Sequence, residues 1–169
     1  MSPKARLVFI LLIAIVLLDQ ATKMIVDRML PLHQSVPVIE NFFSLTYIRN
    51  TGAAFGLLAE ANEFFRRGFL IAFSLAAIGF IILMLRRLPE SEKALTVALG
   101  FILGGAVGNL VDRLSYGEVI DFLDFYWSSY HWPAFNVADS FITVGVLLIM
   151  CRLATSKDSD PFAPRAGIS

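Results

Sequence analysis

Three groups of polar side chains recur at helical spacing inside or beside the most apolar stretches of this sequence. The groups are Asp19 with Lys23, Asn109 with Asp112 and Arg113, and Asn136 with Asp139. Residues three or four positions apart share one face of a helix. A charged residue at the centre of a membrane helix costs about 2.5 to 3.5 kcal/mol on insertion scales. Side chains that are retained at this cost are candidates for function.

Charge balance separates structural candidates from chemical ones. Lys23 can neutralise Asp19 on the same helix face. Arg113 follows Asp112 directly, and we interpret Asp112 as its structural partner. These four charges can therefore be satisfied locally.

Two other acids have no such partner. Asp139 has no cation on its own helix face, and Asp121 lies between apolar neighbours. Two nearby carboxyl groups in a partly dry site share one proton, because both cannot ionise at short distance. One member can then activate a water while the other donates a proton. Spacing predicts such a dyad for Asp139, but leaves Asp124 as an equal competitor of Asp121.

The composition indicates a membrane protein. Of 169 residues, 57% are hydrophobic and 17% are charged, and the mean hydropathy is +0.70, too apolar for a soluble domain of this size. The 14 cationic residues equal the 14 acidic ones, so there is no basic excess to attract nucleic acid. One cysteine and two scattered histidines exclude a Cys/His metal cluster. We expect no metal and no other cofactor.

Four stretches can cross a bilayer, since a spanning helix needs about 20 mostly apolar residues. The predicted spans are residues 7–26, 68–86, 94–112 and 135–153. The first could also be a secretory signal peptide, but polar Asp19 and Gln20 follow its apolar stretch in place of a small-residue cleavage site. In the third span, Gly100, Gly104 and Gly108 recur every four residues and would allow close helix packing.

Four spans place both chain ends on one side of the membrane. Eight of the 14 cationic residues, among them Arg86 and Lys93 in the short middle loop, then lie on that side, which predicts a cytoplasmic location for it. Residues 27–67 and 113–134 are then predicted to be extracytoplasmic. Five charged residues of the spans are expected near the outer leaflet, namely Asp19, Lys23, Asp112, Arg113 and Asp139. We expect residues 1–155 to form one domain and residues 156–169 to form a disordered cytoplasmic tail.

The first extracytoplasmic segment contains signals of regular structure. Residues 42–48 are aromatic and β-branched, which predicts a short strand, and residues 50–52 have turn chemistry. Residues 60–67 are typical of a short interfacial helix. The predicted fold is an all-α membrane protein with four transmembrane helices, a small extracytoplasmic β-containing segment and a short interfacial helix.

Five sequence blocks resemble the lipoprotein signal peptidase family, also called signal peptidase II. The blocks are DQATK at 19–23, NTGAAF at 50–55, GGAVGNLVDR at 104–113, VIDF at 119–122 and PAFNVADS at 133–140. They occur in the family's order. The resemblance implies a bacterial inner-membrane aspartyl endopeptidase that removes the signal peptide of diacylglyceryl-modified prolipoproteins, cutting just before the lipid-bearing cysteine.

The resemblance also assigns roles to residues. The catalytic pair maps onto Asp121 and Asp139, which resolves the choice against Asp124. The supporting polar shell maps onto Asp19, Lys23, Asn50, Gly108, Asn109, Arg113 and Asn136. We expect Asn50 to lie on an outer loop that closes over the substrate. The implied partners are the lipid-modified precursor and membrane lipids, and we expect a monomer.

Two rival functions follow from the residues alone. Acids inside a membrane equally suit a small proton-coupled transporter. The glycine-rich helix face would suit a non-catalytic membrane subunit or a lipid-binding scaffold.

Overall fold

The computed structural model describes residues 1–52 and 62–155 and contains four long helices. They are α1 (Pro3–Met29), α2 (Glu63–Arg87), α3 (Lys93–Ser115) and α4 (Val137–Thr155). Each contains an apolar stretch long enough to cross a membrane. The predicted number of spanning helices is therefore confirmed for the described residues, and the first three helices extend beyond the predicted spans at both ends.

The predicted interfacial helix does not form a separate element in the described residues. Residues 63–67 are the first turns of α2, which continues without a break to Arg87. Asn62 caps this helix by accepting a hydrogen bond from the Phe65 N–H at 2.7 Å. With the cap at Asn62 and no proline before Arg87, nothing ends the helix at residue 67. Glu60 and Ala61 lie outside the described residues.

Both predicted outer segments contribute to one four-stranded antiparallel sheet. Its strands are β1 (Ser35–Ile39), β2 (Phe43–Asn50), β3 (Val119–Trp127) and β4 (Tyr130–His131), in the spatial order β1-β2-β3-β4. β2 confirms the strand predicted at residues 42–48. In the β2–β3 register, Ile48 lies opposite Asp121 and Asn50 opposite Val119.

The sheet rests on the end of α1. Val26 of α1, Tyr47 of β2, and Ile120 and Phe122 of β3 form one buried apolar cluster. An isolated bridge between Leu123 and Phe135 also ties β3 to the residues just before α4. The sheet is thereby held at one end of the helix bundle.

α3 is the central helix, and it packs against α1, α2 and α4. Its glycines permit the close approach that their spacing predicts. A Cβ atom added at Gly104 would lie 2.9 Å from the Ile15 Cβ of α1, and one at Gly108 would lie 2.7 Å from Asp19 Oδ2. Any larger residue would push α1 away from α3.

The opposite end of the bundle holds both ends of the described chain. Lys4 Nζ donates to the Leu88 carbonyl oxygen at 2.5 Å. Arg152 Nη2 pairs with Glu92 Oε1 at 3.1 Å. These contacts gather the start of α1, the α2–α3 loop and the end of α4 on the side away from the sheet.

Candidate active site

Asp139 is held at the beginning of α4 by a reciprocal cap. The Asp139 N–H donates to Asn136 Oδ1 at 2.9 Å, and the Asn136 N–H donates to Asp139 Oδ2 at 3.3 Å. This is the arrangement of a capping box. The Asp139 carboxyl group thus lies at the positive end of the helix dipole. Asn109 Nδ2 of α3 adds a hydrogen bond of 2.7 Å to Asp139 Oδ1.

Asp121 projects from β3 and is more deeply buried than Asp139, with only 2% of its surface exposed. Burial raises the pKa of its carboxyl group to about 6, and the charge of Asp139 acts in the same direction. Two side-chain amides oppose this rise by donating to the carboxylate. They are Asn50 Nδ2, at 2.9 Å from Oδ2, and Asn136 Nδ2, at 2.7 Å from Oδ1.

Asn136 connects the two acids. Its fully buried side-chain amide donates to Asp121, while its Oδ1 accepts from the backbone of Asp139. Its Nδ2 also lies 3.2 Å from Asn109 Oδ1, and Asn109 in turn donates to Asp139. The structure thus brings the two predicted acids into one hydrogen-bonded cluster at the sheet end of the bundle. Such a cluster can hold a proton between two carboxyl groups beside a water.

Asp124 is separated from this cluster. It lies further along β3, where both of its carboxylate oxygens are 3.0 Å from His131 Nδ1. Strand register therefore separates Asp121 from Asp124. Of the two, Asp121 is hydrogen-bonded to Asn136 just before α4, and its charge interacts with Asp139 of α4 and Arg113 of α3.

Asn50 occupies a different element from the predicted loop. It is the last residue of β2, and its pairing with Val119 holds its backbone beside β3. Its Oδ1 accepts from the Gly52 N–H at 2.8 Å, and Gly52 has the positive φ of 78° that glycine adopts readily. The predicted loop position was wrong for Asn50 itself, because the strand extends two residues beyond its predicted end. The part of the NTGAAF block from Ala53 onwards lies outside the described residues.

Lys23 is buried between two acids. Its Nζ lies 2.8 Å from Asp19 Oδ2, as predicted, and also 2.8 Å from Asp112 Oδ2. It donates to Asn109 Oδ1 at 3.0 Å as well. Gly108 leaves room for Asp19 beside α3. Asp19, Lys23 and Asp112 thus form a buried charge cluster. The cluster contacts Asn109, which is itself hydrogen-bonded to Asp139.

The predicted pairing of Asp112 with Arg113 was wrong. Consecutive residues of a helix point about 100° apart, so neighbours in sequence do not face each other. Asp112 turns towards α1 and Lys23, and its Oδ2 also accepts from the Ile120 N–H at 3.1 Å. Within residues 1–52 and 62–155, Arg113 forms no ion pair within 4.0 Å. Its charge instead acts on Asp139, Asp112 and Asp121.

Several supporting residues were missed by the assignment from sequence. Gln20 Nε2 donates to Asp112 Oδ1 at 2.8 Å. On the sheet, Arg49 Nη2 pairs with Asp27 Oδ1 at 2.9 Å, and the Tyr47 hydroxyl donates to the same oxygen. Gln20 lay within a recognised block and could have been included. The Asp27 cluster joins residues about twenty positions apart on a helix and a strand, so helical spacing contained no signal for it.

No metal site is evident in the described part of the chain, where no three His, Cys, Asp or Glu side chains are grouped so that they could hold an ion. The polar cluster consists of carboxylates already engaged by amides and Lys23.

Comparison with known proteins gives a consistent result. A family model described as signal peptidase (SPase) II matches residues 11–155. A lipoprotein signal peptidase of Geobacter sulfurreducens is 50% identical over 149 residues, covering 88% of this chain and 92% of that protein. One from Geobacter metallireducens is 51% identical over 149 residues, covering 88% and 91%.

A solved structure is also similar. It is a bacterial membrane enzyme determined by the in meso method at 1.9 Å resolution, with a TM-score of 0.79 and 31% sequence identity. The match covers 89% of this chain and 94% of that one.

Proposed function

Because this chain belongs to the signal peptidase II family, we propose that it cleaves its substrate by an aspartic mechanism that uses Asp121 and Asp139. Its function is the removal of signal peptides from prolipoproteins. The comparisons do not support the alternative function, a small proton-coupled transporter, which acids inside a membrane would also suit.

One observation carries the assignment of the catalytic pair. A single buried amide, that of Asn136, is hydrogen-bonded to Asp121 and to the backbone of Asp139. The two carboxyl groups are therefore neighbours in one desolvated cluster, and the charge of Asp139 acts on Asp121. This is the environment in which two acids share one proton.

The two acids differ in ways that suit different roles. Asp139 lies at a helix N-terminus and accepts a hydrogen bond from Asn109, and we assign it as the base that deprotonates water. Asp121, with its raised pKa, is the acid that donates a proton to the oxygen of the scissile carbonyl. The water oxygen attacks the carbonyl carbon to give a gem-diol. As the peptide bond breaks, the proton taken by Asp139 passes to the leaving amine nitrogen, and the proton on the former carbonyl oxygen returns to Asp121 as that oxygen regains its double bond to carbon. The titration belongs to the pair as a whole.

Arg113 and the buried charge cluster support this chemistry. Arg113 has no ion-pair partner among the residues the structure describes, so its guanidinium can donate to a substrate carbonyl or an ester oxygen. Lys23, Asp19 and Gly108 hold α1 against α3 and keep Asn109 aligned with Asp139.

The family and the arrangement of the site also lead us to propose a substrate and a location. We assign the preferred substrate as a diacylglyceryl-modified precursor that is cut just before the lipid-bearing cysteine. The dyad would lie near the outer leaflet of the bacterial inner membrane, with both chain ends cytoplasmic. The acyl chains would keep the scissile bond at the depth of the site. Comparing cleavage of a modified precursor with that of its unmodified form tests this preference.

Exchange of the carboxyl groups tests the mechanism. We expect Asp121→Asn and Asp139→Asn each to reduce the cleavage rate by on the order of a hundred- to ten-thousand-fold, the range for loss of acid–base catalysis. The matched control is Asp124→Asn, which removes another buried carboxylate from the same strand. Cleavage of a lipid-modified precursor by purified protein is the measurement.

The control should retain a rate within a few-fold of the parent. Normal turnover by either variant of the pair, with the same fold by circular dichroism, would remove the proposed mechanism.

A further inference from the structure

A cleft of about 480 Å³ opens between α1 and α2 at the end of the bundle away from the sheet. It exists because α1 and α2 both pack on α3, whereas in the part of the chain that the structure describes they scarcely touch each other. Its apolar lining comes from all three helices. The lining residues are Val8, Phe9, Leu12, Ile82, Leu85 and Leu103.

The depth of the cleft matches one leaflet of a bilayer. Along α1 the lining runs from Lys4 at the mouth to Leu12. At about 1.5 Å per residue this is about 12 Å, against about 15 Å for half of the hydrocarbon core. Leu85 and Leu103 are buried at its base, whereas Phe9 is 54% exposed along its wall. The cleft is therefore open sideways to the acyl region of a single leaflet.

The mouth of the cleft is cationic. Arg86 lines it and is exposed, and its side chain makes no hydrogen bond or ion pair with any residue that the structure describes. Lys4 is held there by the bond from its Nζ to the Leu88 carbonyl oxygen. The acid at the mouth, Glu90, accepts a hydrogen bond from the Lys4 backbone N–H at 3.3 Å. Two cations thus face one carboxylate, and one of the cations has no partner.

We propose that this cleft binds an anionic diacyl phospholipid of the surrounding leaflet. Its acyl chains lie along the apolar walls, and its phosphate meets Arg86 at the mouth. The charge and the shape of the cleft complement the two parts of such a molecule. This site is distinct from the dyad, which lies at the opposite end of the helices.

The signal helix of the substrate is a poorer occupant. A signal peptide carries cations in its N-terminal region, which Arg86 and Lys4 would repel.

Lipid binding by the full-length protein tests the proposal without reference to cleavage. Protein purified in a neutral detergent is titrated with dioleoyl phosphatidylglycerol or dioleoyl phosphatidylcholine, and bound lipid is counted by native mass spectrometry. We expect one phosphatidylglycerol to be retained in preference to phosphatidylcholine. Arg86→Gln should weaken the apparent affinity for phosphatidylglycerol about fivefold, the effect of about 1 kcal/mol per cation at a membrane surface.

Arg87→Gln is the matched control, because it removes the same charge from the next residue, which is exposed and does not line the cleft. Its affinity should stay within about twofold of the parent. A steric pair repeats the comparison. Ala5→Phe narrows the mouth and should weaken binding, whereas Ala72→Phe on an exposed face of α2 should not.

Three results would overturn the proposal. They are equal retention of the two lipids, equal losses from Arg86→Gln and Arg87→Gln, and displacement of bound phosphatidylglycerol by a synthetic signal-helix peptide. The first result would show that the cleft does not distinguish the two lipids. The second would show that Arg86 attracts lipid only as one of several surface charges. The third would assign the cleft to the substrate.

Discussion

Asn136 makes the two acids interdependent while their environments keep them different. Asp121 accepts from two neutral amides in a site that is nearly closed to water, whereas Asp139 lies at a helix N-terminus and is half-buried. Desolvation raises the pKa of Asp121, whereas the Asp139 carboxyl group lies at the positive end of a helix dipole. Two chemically identical side chains can thereby take opposite parts in proton transfer.

The pH dependence of cleavage should report on Asp121. An acid whose pKa is raised to about 6 is protonated below that value, so the rate should fall as pH rises through it. The amide of Asn50 stabilises the carboxylate and lowers this pKa. Asn50→Ala should therefore move the alkaline limb of the pH–rate profile upwards by about one pH unit, the equivalent of one charge-assisted hydrogen bond.

The profile of kcat/KM against pH is the measurement, and Thr51→Ala at the next position is the control. A limb that stays in place or moves downwards in Asn50→Ala would show that Asp121 does not supply the titrating proton.

At the scale of elements, α3 determines how closely the polar groups approach one another. Gly104 and Gly108 face Ile15 and Asp19 of α1, which lets the backbones of the two helices come together. Asp112 lies one turn beyond Gly108 on the face towards α1, and Asn109 lies one turn beyond Gly105, which faces Ala138 of α4. Close packing and the polar cluster thus arise at the same two helix–helix interfaces.

Gly108→Ala should damage both stability and cleavage. Its added Cβ would lie 2.7 Å from Asp19 Oδ2 and 3.4 Å from the Ala138 Cβ. Such overpacking costs about 1 to 3 kcal/mol and would displace Asp19 from Lys23. Gly79→Ala in α2 is the matched control, because no atom lies within 4 Å of a Cβ there.

The control should be neutral or stabilising by up to about 1 kcal/mol, the gain in helix propensity. Thermal unfolding in detergent and cleavage rates compare the two variants. Equal effects from both would show that α1 does not pack on Gly108 as described.

At the scale of the whole molecule, the buried charge cluster joins four elements. Lys23 of α1 binds Asp112 of α3, and Asp112 accepts from the backbone of Ile120 at the start of β3. Asp19 completes the connection by accepting from the Ala138 N–H of α4 at 2.9 Å. The cluster therefore fixes the helices and the sheet relative to one another at the depth of the dyad.

Removal of Lys23, the cation of the buried charge cluster, should reduce the stability of the protein far more than removal of Arg152. Lys23→Met leaves two buried carboxylates without a counter-ion, which costs about 3 to 5 kcal/mol. Arg152→Met breaks a partly exposed pair with Glu92 and should cost about 1 kcal/mol or less. Differential scanning calorimetry of the two variants is the measurement, and similar losses of stability would contradict the described cluster.

The sequence by itself determined the elements and the candidates. Apolar length predicts the four helices, and helical spacing predicts the ion pair of Asp19 with Lys23 as well as the shared face of Asn136 and Asp139. These are local properties, because they depend on residues within one or two helical turns. The family resemblance, which rests on short blocks, added the family and the choice of Asp121.

Only the tertiary structure decided which groups meet. Asp112 faces Lys23 rather than Arg113, and Asn50 reaches Asp121 from a strand end rather than from a loop. The contact between Asp19 and the Ala138 backbone joins positions 119 residues apart. Such partners depend on strand register and on how helices approach through their small residues, and neither is contained in the period of a single segment.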